Sequence, residues 1–287
     1  MKVKGCDCSI VVKTSHREID VPYSEETLRE AVSLLQEEAA IEGDGVNKAI
    51  RKRGGVTGCI VTPLTIGTAP LLLYLAMGAA EVPVFVSETR DLYKYSLSLL
   101  PMEDTDYFDL MQDRGTERKL FESCRVKGFE LRIIRDEAIK LKLDIQGEYQ
   151  AVTYPYTDTF VRETGERFSG DNVKYRINGQ EHKNIYGLTL ATKKEGGTKT
   201  ELWIKRALEQ GANIPEIIDE LTITAQLLRD KYEFRHFGTF RITIKRLVLT
   251  ADETDINSTG AVIGPLRYYV AGTVSAEVFT STGELIA

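Results

Sequence analysis

The sequence predicts a mainly β fold of the α+β class, a β-sandwich or barrel with a flanking α-helix. In residues 139–145 apolar side chains alternate strictly with Lys140, Lys142 and Asp144, and at the start of residues 240–249 Phe240, Ile242 and Ile244 alternate with polar residues in the same way. Successive side chains of a strand point to opposite faces, so both runs indicate strands with one apolar face and one polar face. Turn signals between such runs favour antiparallel hairpins.

A long hairpin is predicted over residues 128–147, because residues 129–133 also alternate and a polar segment, 135–137, separates the two runs. An ordinary surface hairpin over a core would explain this pattern. A more specific hypothesis is that the charged face lines a wet space that the protein encloses. The residues of that face are Glu130, Arg132, Lys140, Lys142 and Asp144.

An amphipathic helix is predicted over residues 25–40. Ser24 suits the N-cap, and Glu25 and Glu26 suit the first turn, where acidic side chains favour the helix dipole. Apolar residues follow at helical spacing and are expected to face the core. They are Leu28, Ala31, Val32, Leu35 and Ala39.

A second, short helix is predicted over residues 71–77, because Pro70 suits a helix start and Gly78 a helix end. The basic segment 48–55 is expected to be a solvated loop or an arm that docks on an acidic neighbour. The acidic segment 102–114 is expected to be an exposed loop or a short helix. Strands are predicted at 9–12, 56–68, 82–87 and 93–100.

Two domains are predicted, residues 1–148 and 149–287, with a junction or long loop at 149–170. In the second domain Asn178-Gly179 signals a hairpin turn. A weak similarity between 126–131 and 185–190 suggests two related β units. Further elements are strands at 173–177, 188–190, 200–205 and 220–228, a short helix within 208–219, and one or two strands at 267–279.

Composition excludes several classes of protein. The chain has 287 residues, 42% of them hydrophobic, which allows a core without disulfides. A net charge of −6 argues against a protein that grips nucleic-acid phosphates. The four cysteines fit neither a disulfide framework nor a zinc site, and a reducing cytoplasm at synthesis fits them best. No apolar run reaches the length of a membrane span, so a soluble protein without a signal peptide is expected.

No catalytic constellation is found. His16, His182 and His236 are widely separated, and the sequence contains no nucleophile elbow or zinc-protease motif. Asp252, Asp255 and Asn257 lack the spacing of a calcium loop. We therefore predict no catalytic, cofactor-binding or metal-binding residues, no cofactor and no enzyme activity.

Several segments resemble the phage major tail proteins, also called tail tube proteins. The resemblance is carried by 56–58, then 64–72 (Leu-Thr-Ile-Gly-Thr-Ala-Pro-Leu-Leu), then 75–78 (Leu-Ala-Met-Gly). The hairpin from Cys124 to Gly147 and the segment 168–179 are similar to later parts of that family. Here Ser123 replaces the family's glycine before Cys124, and the helix at 25–40 and the acidic 102–114 are departures.

The resemblance implies a structural protein of the virion, made in the cytoplasm of the bacterial host. Copies would form rings, either six-fold or three-fold with pseudo-six-fold symmetry, and the rings would stack into a tube through which DNA passes without specific binding. Tape-measure, tail-terminator and baseplate proteins are the implied partners, with no membrane. The alternatives are a component of a related injection or secretion machine, or a β-barrel ligand binder or enzyme.

Overall fold

In the computed structural model, the described residues are 9–14, 18–36, 49–87, 92–113, 118–150, 161–162, 165–206, 214–227, 239–252 and 265–280. They form twenty strands and one α-helix, which confirms the mainly β fold with a flanking helix. The elements are β1 Ser9–Lys13, β2 Glu18–Asp20, β3 Glu25–Glu26, β4 Arg29–Gln36, β5 Ala49–Pro63, α1 Ala69–Met77, β6 Gly78–Ala80, β7 Val84–Ser87, β8 Leu92–Leu99, β9 Phe108–Asp113, β10 Arg118–Ile134, β11 Lys140–Gln150, β12 Val161–Arg162, β13 Val173–Ile177, β14 Gln180–Glu181, β15 Ile185–Lys193, β16 Lys199–Arg206, β17 Ile217–Gln226, β18 Thr239–Asp252, β19 Pro265–Val270 and β20 Val274–Thr280.

The strands join into one continuous sheet. Within the described residues every pairing is antiparallel except that of β2 with β12. The longest row in which each strand pairs with its neighbours through opposite edges has eleven strands and is called the strand series below. Its order is β4, β5, β11, β10, β15, β16, β19, β18, β17, β13 and β14.

The sheet divides at β10 and at β18. The first part of β10 pairs with β9 and its last part with β15, while β18 pairs first with β20 and then with β19. Ser123 and Arg246 have positive φ angles of 50° and 55°; Ser123 lies just before the last residue of β10 that pairs with β9, and Arg246 lies where β18 changes its partner. The backbone N–H of Ser123 donates to Oδ1 of Asp109 at 3.1 Å. Such irregularities bend a strand and let it serve two neighbours.

The helix α1 lies against this sheet and is almost wholly buried, as predicted. It contacts β8, β10 and β20. Pro70 occupies its first turn, and Gly78 ends it with φ of 104° while donating its N–H to the carbonyl of Tyr74. A proline start and a left-handed glycine end are the signals on which the prediction rested.

The long hairpin of β10 and β11 is also confirmed. Asp136 takes a positive φ of 64° in the turn. The predicted apolar face is buried in the main core, with Leu131 opposite Leu141 and Phe129 opposite Leu143. The second predicted turn, Asn178-Gly179, has φ angles of 49° and 80°, which is the geometry that tight hairpins prefer.

The helix predicted over residues 25–40 is wrong. Residues 25–26 and 29–36 are strands that pair with β5, and 37–40 lie outside the described residues. A register shift between Glu30 and Val32 interrupts the pairing. That shift disrupts the period of two on which a strand prediction depends. The partner strand, about twenty residues further on, overrides local helix propensity.

Three smaller expectations need correction. The basic segment is strand rather than loop from residue 49, because it is the partner of β4. The acidic segment has a short 3-10 turn at Met102–Asp104 and then the strand β9, in which buried Asp113 is paired with Arg118 at 2.7 Å. The described part of 208–219 is not helical, and β17 begins at Ile217.

Much of the expected domain junction at 149–170 lies outside the described residues. Two pairings, β10 with β15 and β8 with β20, join residues before and after position 148. One apolar core also contains residues from both sides. The division into 1–148 and 149–287 stays a prediction.

Candidate functional site: the polar face of the sheet

The five charged residues predicted to share one face do lie together. Glu130 is opposite Lys142, and Arg132 is opposite Lys140, in neighbouring positions of β10 and β11. Asp144 is opposite Gly128. Directly opposed residues of an antiparallel pair point to the same side of the sheet. All five therefore lie on the side away from the buried hairpin residues, which we call the polar face.

Charges on this face are neutralised locally. Nζ of Lys142 lies 3.2 Å from Oδ1 of Asp144, and a guanidinium nitrogen of Arg132 lies 3.9 Å from Oε1 of Glu137. Partial burial lowers the pKa of Lys142, but the carboxylates of Asp144 and Glu130 outweigh it, so the pKa is raised. Lys142 thus stays protonated and paired.

The polar face continues across β15, β16 and β19. Glu130 is opposite Ala191, Ala191 is opposite Glu201, and Glu201 is opposite Tyr269. In a second row of directly opposed residues, Arg132 is opposite Thr189, Thr189 is opposite Trp203, and Trp203 is opposite Arg267. Five strands therefore contribute to one surface.

An ion pair lies in the far part of this surface. One guanidinium nitrogen of Arg267 donates to both carboxylate oxygens of Glu201, at 2.8 and 2.9 Å, and the guanidinium lies 5.6 Å from the ring centroid of Trp203. Sequence analysis missed these residues. Lys199, Glu201, Trp203 and Lys205 alternate with buried residues, so the period of two could have revealed them.

A cleft of about 460 Å³ opens where β5, β10 and β15 meet the polar face. Glycines line part of its wall, and its two lysines and two carboxylates balance each other. Within the described residues no three metal-binding side chains cluster, here or elsewhere. The lining residues are Thr27, Thr57, Gly58, Cys59, Lys127, Gly128, Asp144, Lys193 and Glu195.

A second surface feature is apolar. In and beside β7, Val82, Val84, Phe85 and Val86 are 85%, 55%, 43% and 50% exposed. Four large apolar side chains in five consecutive positions form an exposed apolar patch, and such patches are candidates for interaction sites.

Comparisons with known proteins do not assign a family. No model of a known protein family matches the chain, and no curated protein is significantly similar to it. In the described part of the chain, no helix is long and apolar enough to cross a membrane.

Proposed function

We propose that this chain is a tail tube protein of a bacteriophage, a structural virion component whose copies form stacked rings around a channel for DNA. The observation that carries the proposal is the polar face on the five strands β11, β10, β15, β16 and β19, whose other side is buried in the core. A wall between a protein core and a water-filled channel needs such a sheet. The resemblance at 56–78 and at 124–147 points the same way.

The local pairing of charges suits a channel through which DNA slides. Lys142 and Arg267 each have a carboxylate partner within 3.2 Å on the same face. A cation already paired with a carboxylate has less to offer a phosphate, and the net charge of −6 adds a long-range repulsion. DNA would pass without specific binding.

One copy is too small to form such a channel. The polar face spans five strands, whereas the barrels that leave an aqueous channel have roughly 16 to 18. Several copies must therefore contribute to one wall. A six-fold ring, or a three-fold ring of chains with two related halves, would close it.

The experiment is to purify the chain and examine it by light scattering after size exclusion and by negative-stain microscopy. We expect rings or tubes with an axial hole. A protein that stays monomeric at high concentration would contradict the proposal. A component of a related secretion machine would give the same rings, and co-purification of tape-measure, tail-terminator and baseplate proteins from infected cells would separate the two.

A further inference from the structure

Two exposed lysines lie directly opposite each other on the polar face. Lys193, the last residue of β15, is opposite Lys199, the first residue of β16. The Cβ atoms of directly opposed residues lie roughly 4.5–5.5 Å apart, and like charges at such positions are destabilising. Within the described residues, the side chain of neither lysine makes an ion pair or a hydrogen bond. The fold therefore holds two uncompensated positive charges side by side.

Buried neighbours fix the register that brings these lysines together. On the other side of the sheet the hydroxyl oxygens of Thr192 and Thr200 lie 3.0 Å apart, and both residues are buried. Nζ of Lys194 donates to the carbonyl oxygen of Met77, also in the interior. A slip of one residue would expose these bonded side chains and turn the two lysines inward. The packing behind the sheet thus imposes the pair of like charges.

The pair lies beside the cleft of about 460 Å³, which Lys193 lines. In the strand series, Gly128 of β10 lies between Lys193 of β15 and Asp144 of β11. Because glycine has no side chain, it leaves a gap between the two charged residues, and this gap forms part of the cleft. A Cβ atom at Gly128 would lie 2.8 Å from the carbonyl oxygen of Thr192, so the close approach of the two strands requires glycine here.

A third lysine reaches the cleft from an irregularity in β10. The pairing of β10 with β11 shifts register between Val126 and Gly128, and Lys127 is the residue between them. Such a shift re-aims a side chain. Nζ of Lys127 donates to Oγ1 of Thr57 at 3.4 Å, and both residues line the cleft. An ammonium group has three N–H donors, so two remain for a ligand. We call Lys127, Lys193 and Lys199 the lysine cluster.

The lysine cluster gives the cleft an excess of positive charge. Two carboxylates line the cleft, those of Asp144 and Glu195. Oδ1 of Asp144 is paired with Nζ of Lys142 at 3.2 Å, so that carboxylate is already neutralised. Among the described residues that line the cleft, Glu195 is then the one carboxylate left to offset the lysine cluster. The excess is therefore two positive charges.

We propose that this cleft binds a doubly charged phosphate ion. A phosphate group with a free second acid carries roughly −1.5 to −2 charges at pH 7, which matches the excess, and its oxygens accept hydrogen bonds from ammonium groups. The phosphodiesters of DNA carry one charge each and match less well. The site lies within one copy, so it does not depend on the proposed assembly. In a tube, the bound ion would neutralise this part of the channel wall.

Calorimetric titration of the whole chain with inorganic phosphate, at constant ionic strength, tests the site. We expect one phosphate per chain and a thermal midpoint that rises with phosphate concentration, because a ligand of the folded state stabilises it. Lys193→Gln/Lys199→Gln removes two charged donors and should weaken binding about tenfold or more. Without phosphate this variant should be at least as stable as the wild type, because it loses the repulsion between like charges.

Two further variants test whether the cleft itself is responsible. Lys205→Gln is the matched control, because Lys205 lies on the same face at the other end of β16, opposite Gly187 and Pro265. It should bind phosphate as the wild type does. Glu195→Gln removes a carboxylate that repels the ion and should tighten binding several-fold.

Other results would overturn the inference. These are a wild type that binds no phosphate, or equal weakening in Lys205→Gln, which would mean attraction by surface charge alone. Duplex DNA without terminal phosphates should leave the bound phosphate in place. A duplex that displaces it would make the DNA backbone the ligand and would also contradict DNA passage without binding. Rings that form from a protein that binds no phosphate would leave the tube proposal standing.

Discussion

Lys194 donates from Nζ to the carbonyl oxygen of Met77 at 3.2 Å, across 117 positions of the chain. Lys194 is only 1% exposed, and Met77 ends the helix α1. The same carbonyl also accepts the backbone N–H of Leu100 at 2.8 Å. The lysine is therefore a second donor at a helix C-terminus, where positive charge is favourable, but it is placed in an apolar interior.

This lysine predicts an unusual pH dependence of stability. Burial lowers the pKa of Lys194 from 10.5 to about 8. Between those values the unfolded chain binds more protons than the folded chain, so this group makes stability rise as the pH increases. At neutral pH the buried charge is a cost, and Lys194→Met should therefore raise the free energy of unfolding by about 1–3 kcal/mol. Urea titrations of both proteins at pH 7 and pH 10 would measure this difference in the free energy of unfolding.

The difference in the free energy of unfolding between the wild type and Lys194→Met is free of the contributions of other titrating groups. Burial raises the pKa of Cys124 to about 12, which by itself makes stability fall above the ordinary pKa of 9.0. That contribution is present in both proteins and cancels in the difference. The advantage of Lys194→Met should shrink as the pH rises from 7 to 10. A variant less stable than the wild type at pH 7 would show that the hydrogen bond to Met77 outweighs burial of the charge.

A new charge on the buried face of the hairpin should reduce stability far more than one on its polar face. Leu141 is 0% exposed in the core, so Leu141→Asp would bury a carboxylate at a cost of several kcal/mol and should prevent folding or assembly. Lys140→Glu, one position earlier on the polar face, should change stability by less than about 1 kcal/mol. Circular dichroism and microscopy would measure both. Normal rings from Leu141→Asp would refute the assignment of the faces.

Gly55 allows the backbones of β5 and β11 to approach each other closely. A Cβ atom at this position would lie 2.0 Å from the carbonyl oxygen of Gly147, which is backbone and cannot turn aside. Gly55→Ala should therefore lower the thermal midpoint and cost about 1–3 kcal/mol. Gly196→Ala is the control, because a Cβ there meets nothing within 4 Å and only its φ of 72° opposes the change. A larger loss of stability in Gly196→Ala than in Gly55→Ala would contradict the close approach of the two backbones at Gly55.

The two described cysteines should react at different rates with a thiol reagent. Cys59 is partly exposed beside the cleft, whereas Cys124 is buried. Only the thiolate is nucleophilic, and the raised pKa of Cys124 keeps it protonated. In a Cys6→Ser/Cys8→Ser background we expect one fast thiol, lost in Cys59→Ser, and a second only after unfolding. Rapid labelling of native Cys124 would contradict its burial.

Trp203 is the single tryptophan and reports on the polar face. If that face lines a water-filled channel, acrylamide should quench its fluorescence almost as well in assembled tubes as in dissociated chains. A several-fold loss of quenching on assembly would place the face in contacts between copies.

Lys140→Glu should still assemble but alter the ease of DNA passage, because it changes the charge of the channel wall.

Local sequence signals were enough to predict the tight turns and the strands in which apolar and polar residues alternate strictly. The alternation around Leu141 predicts both the strand and the residues that face inward, because side-chain direction in a strand depends only on position. Pro70 and Gly78 define α1 since proline and glycine act through their own φ angles. The alternation likewise places the five charged residues of the hairpin on one face, because residues two positions apart in a strand share a side of the sheet.

Residues 25–36 show what local signals cannot decide. Their apolar spacing fits a helix, and only the pairing with β5, about twenty residues further on, makes them strands. The pairs Glu201 with Arg267 and Lys194 with Met77 join positions 66 and 117 apart. The sequence by itself determined which segments are strands wherever the alternation is unbroken, because that pattern is local. The tertiary structure decided which strands are neighbours, which edges stay open and which charges meet, because these depend on contacts between distant segments.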